Sequence, residues 1–290
     1  MKFAHRLGLA LWLLVTALPA SAADAPAKYA VLSLIGDSLT LVSHRPSVGT
    51  RVDPNLRDTV ALTDPVFDDT VLLTAEKVLL QVAPATGAPA LLSTSGSSAY
   101  ADARRWISDQ KFTAPPWLDA ALKADRATHL LLVTKHRAEA SFQFAGEKAG
   151  VGSLEGLGFF IDRQRITLRT DTGARGIGFL APYAYFRVSL IDLASSQLIG
   201  QRLVGASASL SGADSKDGLG PWDVLTDAEK VAYLKQLIGR KSRGHCCPRQ
   251  GAMTHGGMIA APSPGHGLPV AVHTGGSSPP FVPQEFSHGH

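Results

Sequence analysis

The chain has 290 residues, 45% of them apolar and 18% charged, with a formal net charge of +4 and an isoelectric point near 9.1. That charge sits at the ends: Lys2 and Arg6 give +2, Lys241, Arg243 and Arg249 less Glu285 give another +2, and 4 − 2 − 2 leaves the segment between them near zero. The alkaline isoelectric point is therefore no sign of nucleic-acid binding, and none is expected; with both cysteines adjacent at Cys246-Cys247, a disulfide-stapled fold is not expected either.

The first residues read as an export signal. Lys2 and Arg6 form a basic start, Leu7 to Leu18 an apolar run, and Ala20-Ser21-Ala22 a small-residue cleavage site. The apolar run is shorter than the roughly 20 residues that span a bilayer. No later segment is long and apolar enough to span one as a helix after signal removal. Residues 1–22 are thus expected to be a leader, and the mature protein to be periplasmic or secreted.

Next come two β-rich runs, Tyr29 to Ile35 and Ser38 to Ser43, separated by Gly36-Asp37. Glycine at the first central position is the signature of a type II′ hairpin, so the expected structure is a tight turn with the glycine at positive φ. Helical spacing follows at Val71, Leu72, Ala75, Val78 and Leu79, with Asp64, Asp68 and Asp69 clustered before the helix, where they complement its dipole. Ala88 to Leu92 reads as a strand, Ser98 to Gln110 and Trp117 to Lys123 as helices, and His129 to Thr134 as a strand covered on both faces. Beyond it, glycines interrupt a loosely alternating stretch from Phe142 to Thr170. Tyr183 to Asp192 then pairs with Gln197 to Leu210 as a long hairpin. Thr226 to Glu229 has the capping-box pattern, and Val231, Leu234, Leu237 and Ile238 give the following helix an apolar face. The expected fold is α+β: a mixed sheet with packed helices and a β-rich second half, as one domain over 23–240.

From Lys241 to His290 the chain is rich in Gly, Pro, His and Ser, without helical or strand period, and is expected to be disordered. His245, Cys246, Cys247 and His255 are metal-ligand types, but their spacing is irregular and vicinal cysteines chelate poorly. No metal or other cofactor is expected. The abrupt change after Ile238 also fits out-of-frame translation, which sequencing of the gene settles; an intact frame encoding the same tail would sink that idea.

Two resemblances bear on function. Gly36-Asp37-Ser38-Leu39 resembles the nucleophile block of the GDSL, or SGNH, ester hydrolases, which implies Ser38 as nucleophile. That family also carries a D-x-x-H block and a G-x-N-D block. Here no aspartate has a histidine three residues after it, and the only asparagine is Asn55. A serine esterase would need His44, His129 or His136 as base in a different arrangement. The succession of an opening strand, α/β units, "THLLLV" and the "YFRVSLIDLASSQLIGQRLV" hairpin resembles the anticodon-binding-like domains of bacterial envelope proteins. Relatives of that type include the curli secretion channel subunit, the outer-membrane activators of penicillin-binding proteins and the amino-terminal domain of the Tol translocation protein. This resemblance implies a binding or envelope-assembly module with another envelope protein as partner, and no enzyme activity. It names neither that partner nor the oligomeric state. Tyr183, Tyr185 and Phe186 lie along one strand and are candidates for a partner-binding face.

Overall fold

The computed structural model describes residues 27–242 except 46–52, 54, 95, 145–146 and 169–171. The strands are β1 (Tyr29–Leu34), β2 (Ser38–Ser43), β3 (Leu56–Ala61), β4 (Ala90–Leu92), β5 (Ile107–Ser108), β6 (Lys111–Phe112), β7 (His129–Lys135), β8 (Arg137–Glu139), β9 (Phe142–Phe144), β10 (Glu147–Ala149), β11 (Ser153–Leu168), β12 (Arg175–Asp192), β13 (Gln197–Ser207) and β14 (Leu210–Ser211). The helices are α1 (Val66–Val82), α2 (Ser97–Asp102), α3 (Pro116–Ala124) and α4 (Asp227–Ser242). The fold is α+β with a mixed sheet. No helix among the described residues is long and apolar enough to cross a membrane.

The sheet is organised on β12, whose length lets it carry two strands end to end along one edge. Its Phe186 to Asp192 half pairs with β7, and its Phe179 to Tyr185 portion pairs with β11. The next row repeats the division, because β1 runs parallel to β7 and β2 parallel to β11. The expected Gly36-Asp37 hairpin is therefore corrected: β1 and β2 point the same way and do not pair. Through β7, Leu34 lies level with Arg187; through β11, Leu39 lies level with Ala184. Five steps of chain, 34 to 39, thus span three steps of β12, 187 to 184, and the surplus forms a kink at Gly36-Asp37. Gly36 is not among the positive-φ glycines, so it supplies space rather than a left-handed turn. The turn signature misled because two β-rich runs two residues apart satisfy it whether the chain reverses or continues.

Side-chain alternation along the inner strands assigns the layers. Val31 and Leu131 pack under α1 with Leu72, Ala75 and Leu79, while Ala30, Leu32, Leu130 and Leu132 face α2 and α3 on the other side with Ala99, Leu118 and Leu122. The buried run of β7 is covered on both faces, as its continuous hydrophobicity required. Farther along the sheet, Phe159, Ala184 and Phe186 meet α1 and α4, and Phe160, Phe179, Tyr183 and Tyr185 meet Phe142 and Ala149 of the β9–β10 hairpin. Burial of each fully enclosed Leu or Phe contributes on the order of 1.5–3 kcal/mol. One face of the sheet thus carries α1 and α4 throughout, and the other carries α2 and α3 at one end and the β9–β10 cover at the other.

Several local expectations hold. The β12–β13 hairpin forms, with Ser196 at φ 55° in its turn. In the capping box the Thr226 amide donates to Glu229 Oε2 at 2.8 Å and the Glu229 amide to Thr226 Oγ1 at 3.4 Å. The helix expected to run from Ser98 to Gln110 is shorter: α2 passes through a 3-10 turn at Ala103–Arg105 into the β5–β6 hairpin. Asp109 and Gln110 sit at φ 49° and 67°, two successive left-handed residues as a type I′ turn needs. With no glycine there, the sequence gives no warning of it. The tail expected to be disordered lies outside the described residues apart from the last turn of α4, which reaches Ser242.

Gly158 shows how tightly the rows are joined. A Cβ at Gly158 would lie 1.9 Å from the Thr40 carbonyl oxygen and 2.7 Å from the Tyr183 hydroxyl. Gly158→Ala is expected to destabilise the protein by at least ~1–3 kcal/mol, the usual range for overpacking, in urea melts; an unchanged midpoint would show that β2 and β11 are not held in this register.

Candidate functional site

The kink at Gly36-Asp37 leaves backbone groups without a strand partner. β4 pairs with β1 only at Ala30 to Leu32, and β3 pairs with β2 only from Ser38 onward. The Asp68 carboxylate, in the first turn of α1, fills the gap: it accepts from the Ile35 amide at 3.0 Å, the Gly36 amide at 3.2 Å, Ser33 Oγ at 2.6 Å and Tyr100 Oη of α2 at 2.7 Å. A Cβ on Gly36 would stand 2.7 Å from that carboxylate, so the close approach requires glycine. Burial pushes the Asp68 carboxyl above the usual aspartate value, and the donors of Ser33, Ile35, Tyr100 and Gly36 pull part of the way back. Burial and the adjoining carboxylate likewise push the Tyr100 phenol up.

The kink also opens a cleft of about 810 Å³ between α2 and β8, floored by Ser38, Lys135 and Tyr183. Lys135 Nζ lies 2.5 Å from Asp37 Oδ1 and 2.8 Å from Ser38 Oγ, and Ser38 Oγ lies 3.3 Å from Asp37 Oδ1. Room for the lysine stem comes from Gly156, whose Cβ would meet Lys135 Cδ at 3.0 Å and whose φ is +66°. Tyr183 Oη donates to the Thr40 carbonyl at 3.2 Å beneath the floor. Arg104 on the α2 side is ion-paired with Glu155 at the start of β11, across the cleft.

Among the described residues no imidazole is hydrogen-bonded to Ser38. His44 Nδ1 pairs with Asn55 Oδ1 at 3.2 Å, and its ring lies against Phe160. His129 Nδ1 pairs with Thr128 Oγ1 at 2.9 Å, and its ring lies against Tyr29. His136 follows Lys135, and its imidazole is held below the usual histidine value by burial, then by the charges of Arg187 and Arg104. The expected aromatic face is corrected: Tyr183, Tyr185 and Phe186 are 0%, 5% and 1% exposed, with the tyrosines under the β9–β10 cover and Phe186 on the opposite face against α1 and α4. Strand alternation alone separates Phe186 from the two tyrosines. Among the described residues no group of three His, Cys, Asp or Glu side chains is placed to hold a metal; His245, Cys246, Cys247 and His255 lie outside them.

Sequence reasoning missed Lys135 and the cleft's arginines. Lys135 stands 97 residues from Ser38, and a charged residue closing an apolar strand carries no signal of its partner. Asp68 was recognisable as an acid at the start of a helix, which begins earlier than expected, at Val66, but its role across the kink was not.

No protein-family model and no curated protein matches the chain. Among solved structures it is similar to protein XCC0632 of Xanthomonas campestris, described as family DUF330, with 8% identity over 75% of this chain and 79% of that one and a TM-score of 0.30. It is also similar to the hypothetical protein CT253 of Chlamydia trachomatis, with 14% identity over 76% of this chain and 99% of that one and a TM-score of 0.29. Likeness at this level supports no statement about fold or function.

Two measurements check the site. The unfolded chain releases the Asp68 proton near 3.8 and the folded chain at higher pH, so this group's contribution to stability is lost as pH rises through that window. Asp68→Asn is expected to cost about 1–3 kcal/mol near neutrality through mismatched donors and to remove that pH step from urea melts; an identical pH profile in the variant would contradict the assignment. Arg104→Gln is expected to raise the His136 pKa, read from its ring proton shifts by NMR. No change would mean that Arg104 lies too far away to act.

Proposed function

We propose that this chain is an exported, periplasmic protein that acts by binding, as a non-enzymatic envelope module whose partner is another envelope protein. The leader at 1–22 and the resemblance to envelope domains support export and binding. One observation carries the absence of catalysis at Ser38. Its hydroxyl lies 2.8 Å from a lysine ammonium that is itself ion-paired with Asp37. An activated serine needs a neighbour with a free lone pair to take its proton; a paired ammonium donates to the oxygen instead.

A second reading, a serine ester hydrolase using Ser38, is kept alive by the same Ser–Lys contact, since lysine serves as base in some hydrolases. A fluorophosphonate probe separates the two. The binding reading expects no labelling of the mature protein; labelling that disappears in Ser38→Ala would overturn it. Crosslinking in the native periplasm is expected to recover an envelope protein, and recovery of no partner counts against that part of the proposal.

A further inference from the structure

We propose that the cleft above Ser38 and Lys135 is a binding site for a small polar molecule carrying an oxyanion, either a phosphate or a carboxylate. This rests on the binding reading of the site and names its ligand chemistry.

Charge is the first argument. Among the described residues, five cations line the cleft, Arg57, Arg104, Arg105, Lys135 and Arg137. Only two acids among them do, Asp37 and Glu155, and each is already paired, with Lys135 and Arg104 respectively. Two further acids approach from outside the lining. Asp53 pairs with Arg57, and Asp102 lies 3.4 Å from Arg105 in a contact exposed at both ends, of the kind that contributes little. Arg137 donates Nε to Ser153 Oγ at 2.8 Å and makes no ion pair among the described residues, so its terminal nitrogens keep a fork suited to an oxyanion. On β12, Arg187 Nε is buried without an acceptor among the described residues. His136, beside Lys135, is depressed first by burial and then by the charges of Arg187 and Arg104.

Size and lining are the second argument. About 810 Å³ falls within the roughly 300–1,000 Å³ of small-molecule sites and exceeds what a bare anion fills, so the oxyanion belongs to a larger polar molecule. Among the described residues Val42, Ala101 and Leu154 are the only aliphatic side chains in the lining, too few to shelter an acyl chain. Hydroxyls at Ser38, Thr40, Thr59 and Ser97 supply neutral hydrogen bonds for the remainder of such a ligand.

The test is calorimetric titration of the full mature chain at low ionic strength with inorganic phosphate, glycerol 3-phosphate and succinate, with glycerol as neutral control. Saturable binding of one or more anions and none of glycerol is expected, and the preferred anion distinguishes phosphate from carboxylate. Arg137→Gln is expected to weaken that binding about tenfold, as loss of one charged hydrogen bond does. Glu155→Gln, which removes a competing carboxylate and frees Arg104, is expected to tighten it. Opposite signs from two polar substitutions with unchanged melting temperatures cannot come from damage to the fold. The proposal is overturned if no anion binds, if neither variant changes the affinity, or if only anionic phosphatidylglycerol vesicles bind. Fluorophosphonate treatment of the same sample tells the two failures apart: anions without effect and Ser38 unlabelled removes the ligand class alone, whereas labelled Ser38 removes the binding reading beneath it.

Discussion

The Asp68 carboxylate stands where the sheet lacks a strand. Two backbone amides, a serine hydroxyl and a tyrosine hydroxyl converge on it, and without the carboxylate the edge at Ile35-Gly36 would present buried donors with no acceptor. Leaving such groups unsatisfied is costly. One side chain therefore joins α1, the end of β1 and α2, which lie on different faces of the sheet. The kink is a consequence of composition as much as of topology: only glycine admits the carboxylate at this distance, and only an acceptor with two oxygens serves four donors.

From the kink follows the cleft. Because β7 and β11 meet end to end along β12, the chain between them stays paired with β11 through β8, leaves the sheet after Glu139 and returns at Ser153, and this excursion builds the β9–β10 cover. The cover and α2 occupy the same face but different ends, and the space between them is floored where both inner rows are interrupted. Ser38 and Lys135 are the first and last residues of their strands at that interruption. Their meeting is a result of strand register, and it sets an ammonium and a hydroxyl side by side among arginines. Such a set of donors suits holding a charge better than moving a proton.

Much of the architecture was readable from pattern. Continuous hydrophobicity marked β7 as covered on both faces, Thr226 and Glu229 marked the start of α4, and the runs Tyr183 to Asp192 and Gln197 to Leu210 marked the β12–β13 hairpin. Failures came where local pattern is degenerate. A two-residue gap between β-rich runs fits a reversal and a kinked continuation alike, and what decides is a carboxylate more than thirty residues away. The type I′ turn at Asp109-Gln110 lacks glycine, so its helical neighbourhood hid it. At the site, Gly36-Asp37-Ser38-Leu39 drew attention to a serine that borders the cleft, and among the described residues its hydrogen-bond partners are Asp37 and a lysine distant in sequence.

Native-state hydrogen exchange at the Ile35 and Gly36 amides tests the central claim, that a buried carboxylate fixes the kink as part of the sheet. Both amides are predicted to exchange as slowly as those of Leu32 and Val133 in the adjoining strands, through global unfolding alone, and to lose that protection selectively in Asp68→Ala. Fast exchange of Gly36 in the unaltered protein, with Leu32 and Val133 still protected, would contradict the account.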